Sequence, residues 1–157
     1  MRRIVPFLAG VLLVLASGHA VAQTDEQAAA EVIALAKAQW AAEMANQPTA
    51  TVMKDVADEY TEFSPNFPTR IDGKGVNSRI GEAFSDDPAR TVAAEMANAK
   101  VQVYGDVAIL SYNYIGLVRD ADGNVEPNLA KSTRVYVKKD GLWKLVHANF
   151  APVGDED

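Results

Sequence analysis

The pattern of apolar and polar positions changes near residue 90, from helical spacing before it to strand-like alternation after it. One apolar stripe recurs at steps of three and four residues: Ala29, Ile33, Ala36, Trp40 and Met44. Residues 24–27 (T-D-E-Q) have the spacing of a capping box, so this helix is predicted to begin there. We also predict a short helix over residues 51–57, an extended segment over 60–64 and a third helix over 75–84.

Four segments rich in β-branched and aromatic residues follow. They cover residues 91–104, 107–119, 125–139 and 142–153, and Gly105-Asp106, Asp122-Gly123 and Asp140-Gly141 separate them as turn signals. Three N-terminal helices packed on a curved antiparallel sheet, with a short strand near Tyr60, make an α+β fold.

The last hairpin can be placed in register from its turn. If Asp140-Gly141 is a two-residue type I′ turn, Lys139 pairs with Leu142. Counting back along both strands, Arg134 then faces His147 on one side of the sheet. The same side would carry Ser132, Tyr136 and Asn149. The sequence therefore predicts a polar cluster around an arginine and a histidine.

The preceding hairpin leaves two registers open. A three-residue loop over residues 121–123 puts Tyr112 opposite Ser132 and Tyr114 opposite Ala130, on the side of Arg134. A two-residue loop turns both tyrosines to the other side, because a slip of one residue reverses every side chain.

The N-terminus has the features of a secretory leader. Arg2 and Arg3 precede a mostly apolar run over residues 4–16, and Ala20-Val21-Ala22 is a small-x-small cleavage site. The run is too short to span a bilayer. We therefore expect a signal peptide over residues 1–22, a periplasmic or secreted protein, and no membrane attachment after cleavage.

The remaining residues, 23–157, have the length of a single domain. They carry 13 of the 15 basic residues and all 21 acidic ones, a net charge of −8. This charge repels phosphate backbones, so no nucleic-acid partner is expected. With no cysteine and one histidine beyond the leader, no transition-metal site is expected, and no other cofactor is indicated.

Several motifs of the strand-rich half resemble a known family. They read T-R-V-Y at 133–136, D-G-L-W at 140–143, V-H at 146–147, V-A-I-L-S-Y at 107–112 and D-A-D-G at 120–123. Together they resemble the association domain of calcium/calmodulin-dependent protein kinase II and its free-standing bacterial relatives. These proteins belong to the nuclear transport factor 2-like superfamily, which also includes the SnoaL-like proteins.

The resemblance implies a cone, in which a strongly curved sheet surrounds a pocket that a long N-terminal helix closes. It also implies homodimers formed through the sheet, or larger rings. In the association domain, arginines and histidine of the pocket accept small carboxylates, and Arg134 and His147 match that pattern. Two positions depart from it: Tyr114 replaces a pocket arginine, and Asn149 replaces the second histidine of an H-x-H motif. No kinase activity is expected of this chain.

These observations lead to one site hypothesis with an open alternative. The candidate ligand-binding residues are Arg134, His147, Tyr112, Tyr114, Tyr136 and Asn149, which would hold a small, carboxylated molecule. Alternatively, Arg134 and His147 form a structural pair bridged by an acid such as Glu43 or Asp58, because a buried arginine seldom lacks a partner.

Two other functions remain open. A general acid–base isomerase or lyase would use His147 or an acid such as Asp58 or Glu62, but no spacing singles out a catalytic residue. An oligomeric scaffold would use the face of the sheet for assembly and leave the pocket without a function.

Overall fold

The structure, a computed structural model, describes residues 23–153. The predicted signal peptide over residues 1–22 lies outside these residues. Within them, no helix combines the length and the apolar character that crossing a membrane requires.

The long helix α1, Asp25–Met44, begins at the predicted capping box. The Gln27 backbone N–H donates to Thr24 Oγ1 (3.2 Å), and the Thr24 N–H donates to Gln27 Oε1 (3.0 Å). The buried stripe of α1 consists of Ala28, Val32, Ala36 and Trp40. Ala28 and Val32 each come one residue before the predicted Ala29 and Ile33, and the predicted Met44 is exposed.

The prediction of three N-terminal helices is wrong, because within the described residues only α1 and a single turn, α2 at Thr49–Val52, precede the sheet. Strand β1, Val56–Phe63, follows directly, and β2 is Ile71–Asp72. Helix α3, Lys74–Ala83, comes after both strands. The second helix is shorter than predicted because Val56 pairs with Leu145 of the last strand, and this long-range pairing outweighs local helix propensity.

The remaining strands are β3, Arg90–Tyr104; β4, Val107–Arg119; β5, Val125–Lys139; and β6, Leu142–Pro152. The six strands form one sheet in the order β2-β1-β6-β5-β4-β3, in which only β1 and β6 are parallel neighbours. Helix α1 packs against β3 and β4. We call the face that α1 covers the inner face and the opposite face the outer face.

The hairpin between β4 and β5 adopts the register of a three-residue loop. Tyr112 pairs with Ser132, and Tyr114 pairs with Ala130. Of the two registers that the sequence left open, the structure therefore has the one that brings both tyrosines to the inner face, together with Arg134.

The hairpin between β5 and β6 starts as predicted and then shifts. Lys139 pairs with Leu142, and both Asp140 (φ 51°) and Gly141 (φ 80°) have the positive φ of a type I′ turn. A β-bulge at Val146 then inserts one extra residue into β6, between the pairs that Tyr136 and Val135 make.

The predicted pairing of Arg134 with His147 is wrong because of this bulge. Arg134 pairs with Ala148, and His147 pairs with Val135. An extra residue in one strand reverses the alternation beyond it. His147 and Asn149 therefore lie on the outer face, whereas Arg134 lies on the inner face.

Candidate functional site

Within residues 23–153, the inner face holds one buried cation. Arg134 is only 4% exposed. Its Nε donates to the Tyr112 hydroxyl oxygen (3.0 Å), and its Nη1 donates to Gln39 Oε1 (2.6 Å). The guanidinium carbon also lies 5.4 Å from the centre of the Phe150 ring and 5.9 Å from that of Trp40, within the range of cation–π attraction.

Both acceptors of the Arg134 hydrogen bonds are neutral. The ion pairs within residues 23–153 join Arg70 to Asp72, Lys139 to Glu59, and Lys144 to Asp55. The open alternative, in which Glu43 or Asp58 bridges Arg134, is therefore not among these ion pairs, although Glu43 lies near enough for its charge to act on Arg134. Burying a charge without a counter-charge costs free energy that neutral hydrogen bonds only partly offset.

The guanidinium nevertheless remains charged. Burial alone would lower the pKa of Arg134, but the neighbouring Tyr112 and Tyr136, and more weakly Glu43, raise it above its ordinary value. The site is thus a permanent positive charge inside the protein, surrounded by ring faces and neutral oxygens.

Three of the tyrosines around this charge are buried: Tyr60, Tyr112 and Tyr136. Burial is the largest cause of the raised pKa of Tyr60 and of Tyr136. Their hydroxyl groups therefore stay protonated at ordinary pH and can donate hydrogen bonds.

Tyr114 packs edge-on against Trp40, with ring centres 5.2 Å apart. Gly116 makes room for this arrangement, because a Cβ added there would lie 2.6 Å from the Tyr114 ring. Four of the six predicted ligand-binding residues, Arg134, Tyr112, Tyr114 and Tyr136, thus lie together on the inner face.

An acidic group lies at one side of the same face. Glu62 Oε2 accepts hydrogen bonds from the Tyr60 hydroxyl (2.7 Å) and from Asn77 Nδ2 of α3 (2.9 Å). Two neutral donors therefore orient this carboxylate.

Glu43, near the end of α1, contributes a second acid. Its pKa is raised, first because burial disfavours the charged form; the charge of Arg134 opposes the shift, and that of Glu62 adds to it. Much of the Glu43 residue is nevertheless exposed in the single chain, so water screens its charge more than burial alone implies.

Ser132 contributes a polar group that has no partner. It is 4% exposed and pairs with Tyr112 on β4 and Phe150 on β6, two residues from Arg134 on the same face. No protein atom within the described residues hydrogen-bonds its Oγ. Buried hydroxyl groups are rarely left in this state, so Ser132 has capacity to bind a ligand or a water molecule.

A small cavity adjoins the site. Its volume is about 40 Å³, and Gln39 and Tyr136 line it together with residues of α2 and β1 such as Val52 and Val56. This space accommodates a few water-sized groups. Gln39 thus contacts both the cavity and Arg134.

His147 and Asn149 are part of a different surface. His147 Nδ1 shares a hydrogen bond of 2.8 Å with Thr61 Oγ1, and the Phe63 ring lies edge-on at 6.0 Å. Asn149 pairs with Thr133 and borders an open polar groove of about 340 Å³ on the outer face. Neither residue belongs to the Arg134 site.

The sequence interpretation missed Gln39, which lies beside the buried Trp40 on α1. Its position next to the apolar stripe was the only available signal. That it reaches across to a residue 95 positions later could not be derived from local spacing.

Comparison with known proteins identifies the family. The family model described as the calcium/calmodulin-dependent protein kinase II association domain matches residues 28–154, which is most of the chain. The chain belongs to this family. Among curated proteins, no sequence matches this association domain.

Solved structures show the same fold, the nuclear transport factor 2-like fold, as predicted. A putative calcium/calmodulin-dependent protein kinase II association domain from Xanthomonas campestris is 18% identical, with a TM-score of 0.70, and the match covers 85% of this chain and 91% of that one. The association domain of the C. elegans kinase is 19% identical (TM-score 0.67; 80% and 96% covered). A putative ketosteroid isomerase from Parabacteroides distasonis is 20% identical (TM-score 0.67; 80% and 88% covered).

Proposed function

We propose that this association domain is an exported, self-assembling protein that binds a small carboxylated molecule at Arg134. The observation that carries the binding proposal is a permanently charged guanidinium, 4% exposed, whose hydrogen bonds go only to neutral oxygens. A carboxylate would supply the missing counter-charge and form the strong, two-pronged hydrogen bonds that guanidinium groups favour.

The ligand takes the place of Gln39. Gln39 lines the small cavity and its amide oxygen accepts from Arg134 Nη1, so this oxygen occupies the position of a ligand oxygen. When Gln39 turns away, its volume adds to the cavity. The site then holds a molecule of a few heavy atoms.

Two further groups complement this ligand. The unpartnered Oγ of Ser132 lies on the same face, and Tyr136 lines the cavity and contributes to the electrostatic environment of Arg134. Hydroxyl groups in a dry site favour a ligand oxygen over water because they are already oriented.

Substitutions of Gln39 test the binding proposal. Gln39→Ala removes the occupying amide, so acetate, propionate and succinate should raise the melting temperature more than in the wild type. Gln39→Glu places a carboxylate of the protein beside Arg134, so it should raise the melting temperature without ligand and abolish the response to these acids. A ligand at a hundred times its dissociation constant adds about 2.7 kcal/mol of stability, which thermal melting resolves.

The two variants have the same position and nearly opposite predictions, so each serves as the control for the other. If neither the wild type nor Gln39→Ala responds to any of the three acids, the binding proposal loses its basis.

Self-assembly is supported by the family and by an exposed apolar patch. Ile115, Leu117 and Leu129 form this outer patch; they lie on the outer face and are each at least 40% exposed. Neighbouring exposed apolar residues on a sheet face are typical of interfaces between subunits. Light scattering of the purified protein should therefore give a mass that is a multiple of the single chain.

An acid–base enzyme remains a second candidate. Its supporting observation is Glu62, held on the inner face by Tyr60 and Asn77. His147 would have no part in this chemistry, because it lies on the outer face. Turnover of a ketosteroid probe that Glu62→Gln abolishes would favour this candidate over binding alone.

A further inference from the structure

The first described residue contacts a fixed lysine. Gln23 precedes α1, and its side-chain Oε1 accepts a hydrogen bond of 2.5 Å from Lys138 Nζ. The Lys138 ammonium also lies 5.5 Å from the centre of the Trp143 ring, which is buried. The lysine backbone N–H is bonded to Asp106 O, so both ends of this residue are held in place.

We infer that Gln23 is a modification site, at which the mature chain closes its own N-terminus into a pyroglutamyl ring with the help of Lys138. This inference rests on the proposed export, because cleavage after Ala22 is what makes Gln23 the first residue.

The reaction needs no external reagent. The unprotonated α-amine of Gln23 attacks Cδ of its own side-chain amide and forms the new N–Cδ bond of a five-membered lactam. The attacking nitrogen gives up a proton to the amide nitrogen, the bond from Cδ to that nitrogen breaks, and ammonia leaves. Atoms and charge balance without an oxidant or a cofactor.

Lys138 acts on the oxygen where negative charge develops. During the attack, the carbonyl oxygen Oε1 becomes an oxyanion, and the Lys138 ammonium already donates to that atom. A positioned cation at a developing oxyanion lowers the barrier of acyl transfer. Lys138 is therefore a positioned electrophilic partner for this step.

The product also suits the start of α1 better than the free terminus does. A protonated α-amine at Gln23 would lie close to the Lys138 ammonium and to the positive end of the helix dipole. Asp25 and Glu26 in the first turn offset only part of this repulsion. Ring closure removes one positive charge, and the capping box stays intact because it uses Thr24 and Gln27.

The test follows the mass of the N-terminal peptide. The full-length chain, leader included, is exported from a bacterial host, and its N-terminal peptide is measured by mass spectrometry over several days of incubation. We expect a chain that begins at Gln23 and becomes one ammonia lighter. Lys138→Met should slow this loss, whereas Lys138→Arg, which keeps a donor, should lose ammonia faster than Lys138→Met.

The matched control is Lys139→Met, because the neighbouring Lys139 pairs with Glu59 instead of Gln23. This variant should close at the wild-type rate, and melting curves confirm that each variant is folded. A chain that begins at Gln23 and keeps its ammonia would overturn the inference but leave the proposed export intact. Equal rates in Lys138→Met and the wild type would overturn the role of Lys138. A chain that begins elsewhere would overturn the inference together with the cleavage site.

Discussion

Arg134 Nε of β5 donates a 3.0 Å hydrogen bond to the hydroxyl oxygen of Tyr112 on the neighbouring strand β4. The two residues are not directly opposite each other, because Tyr112 pairs with Ser132 and Arg134 pairs with Leu110. The diagonal contact is possible because both long side chains lie on the inner face. It joins the centre of the candidate site to the register of the β4–β5 hairpin.

Tyr112→Phe should therefore destabilise the protein. The change removes the oxygen that accepts the hydrogen bond from Arg134 Nε, and leaving a buried charged donor unpaired costs about 1.5 to 3 kcal/mol. Urea unfolding measures this cost. In the Arg134→Met background the same change should cost much less, and equal costs in the two backgrounds would show that the hydrogen bond contributes nothing.

The sequence predicted the parts of the fold that local chemistry determines. The capping box places the start of α1, and the Asp140-Gly141 turn sets the pairing of Lys139 with Leu142. The resemblance to the association domain supplied the nuclear transport factor 2-like fold. These signals are contained within a few neighbouring residues or a family motif.

Long-range features could not be predicted in the same way. The bulge at Val146 has no glycine or proline to mark it, and the parallel pairing of β6 with β1 joins segments about 90 residues apart. Only the packed sheet determines that Leu145 and Ala148 both face inward. The predicted placement of His147 and Asn149 on the same face as Arg134 was therefore wrong, and the structure decided the register of Tyr112 and Tyr114 that the sequence had left open.

His147→Ala tests this correction. Because His147 lies on the outer face and bonds to Thr61, its removal should leave the response to small carboxylates unchanged. Calorimetric titration with propionate, run beside the wild type, measures the affinity. A large loss of affinity in this variant would contradict the assignment of the site to the inner face.

Leu129→Lys should weaken self-assembly. A lysine in the outer patch puts a charge where a second copy would bury an apolar side chain. Leu129 is already 41% exposed in the single chain, so the change costs the isolated subunit little burial. Light scattering should show a smaller assembly at an unchanged melting temperature of the subunit. Phe84→Lys is the matched control, because Phe84 is 60% exposed but follows α3, away from the outer patch. Equal effects of both variants would contradict the assignment of the interface.

Glu43→Gln should change the dependence of stability on pH. The pKa of Glu43 is raised in the folded protein, chiefly by burial, so ionisation of Glu43 costs stability at pH values above its unfolded pKa. The variant should be slightly more stable than the wild type at neutral pH. This advantage should shrink as the pH falls toward the unfolded pKa of about 4.3 and vanish at about pH 3, where the carboxyl group is protonated in both states. Urea unfolding at a series of pH values measures it, and a difference that does not vary with pH would contradict the raised pKa.

The most direct test of the account is to measure unfolding and carboxylate binding together in Arg134→Met. Methionine fills much of the same space without charge, so we expect stability without ligand within about 1 kcal/mol of the wild type, or higher. The melting temperature of the wild type should rise with propionate, whereas that of the variant should not. A variant that loses more than about 3 kcal/mol, the cost of breaking an essential buried interaction, combined with a wild type that ignores every acid, would show that Arg134 is structural and would contradict the account.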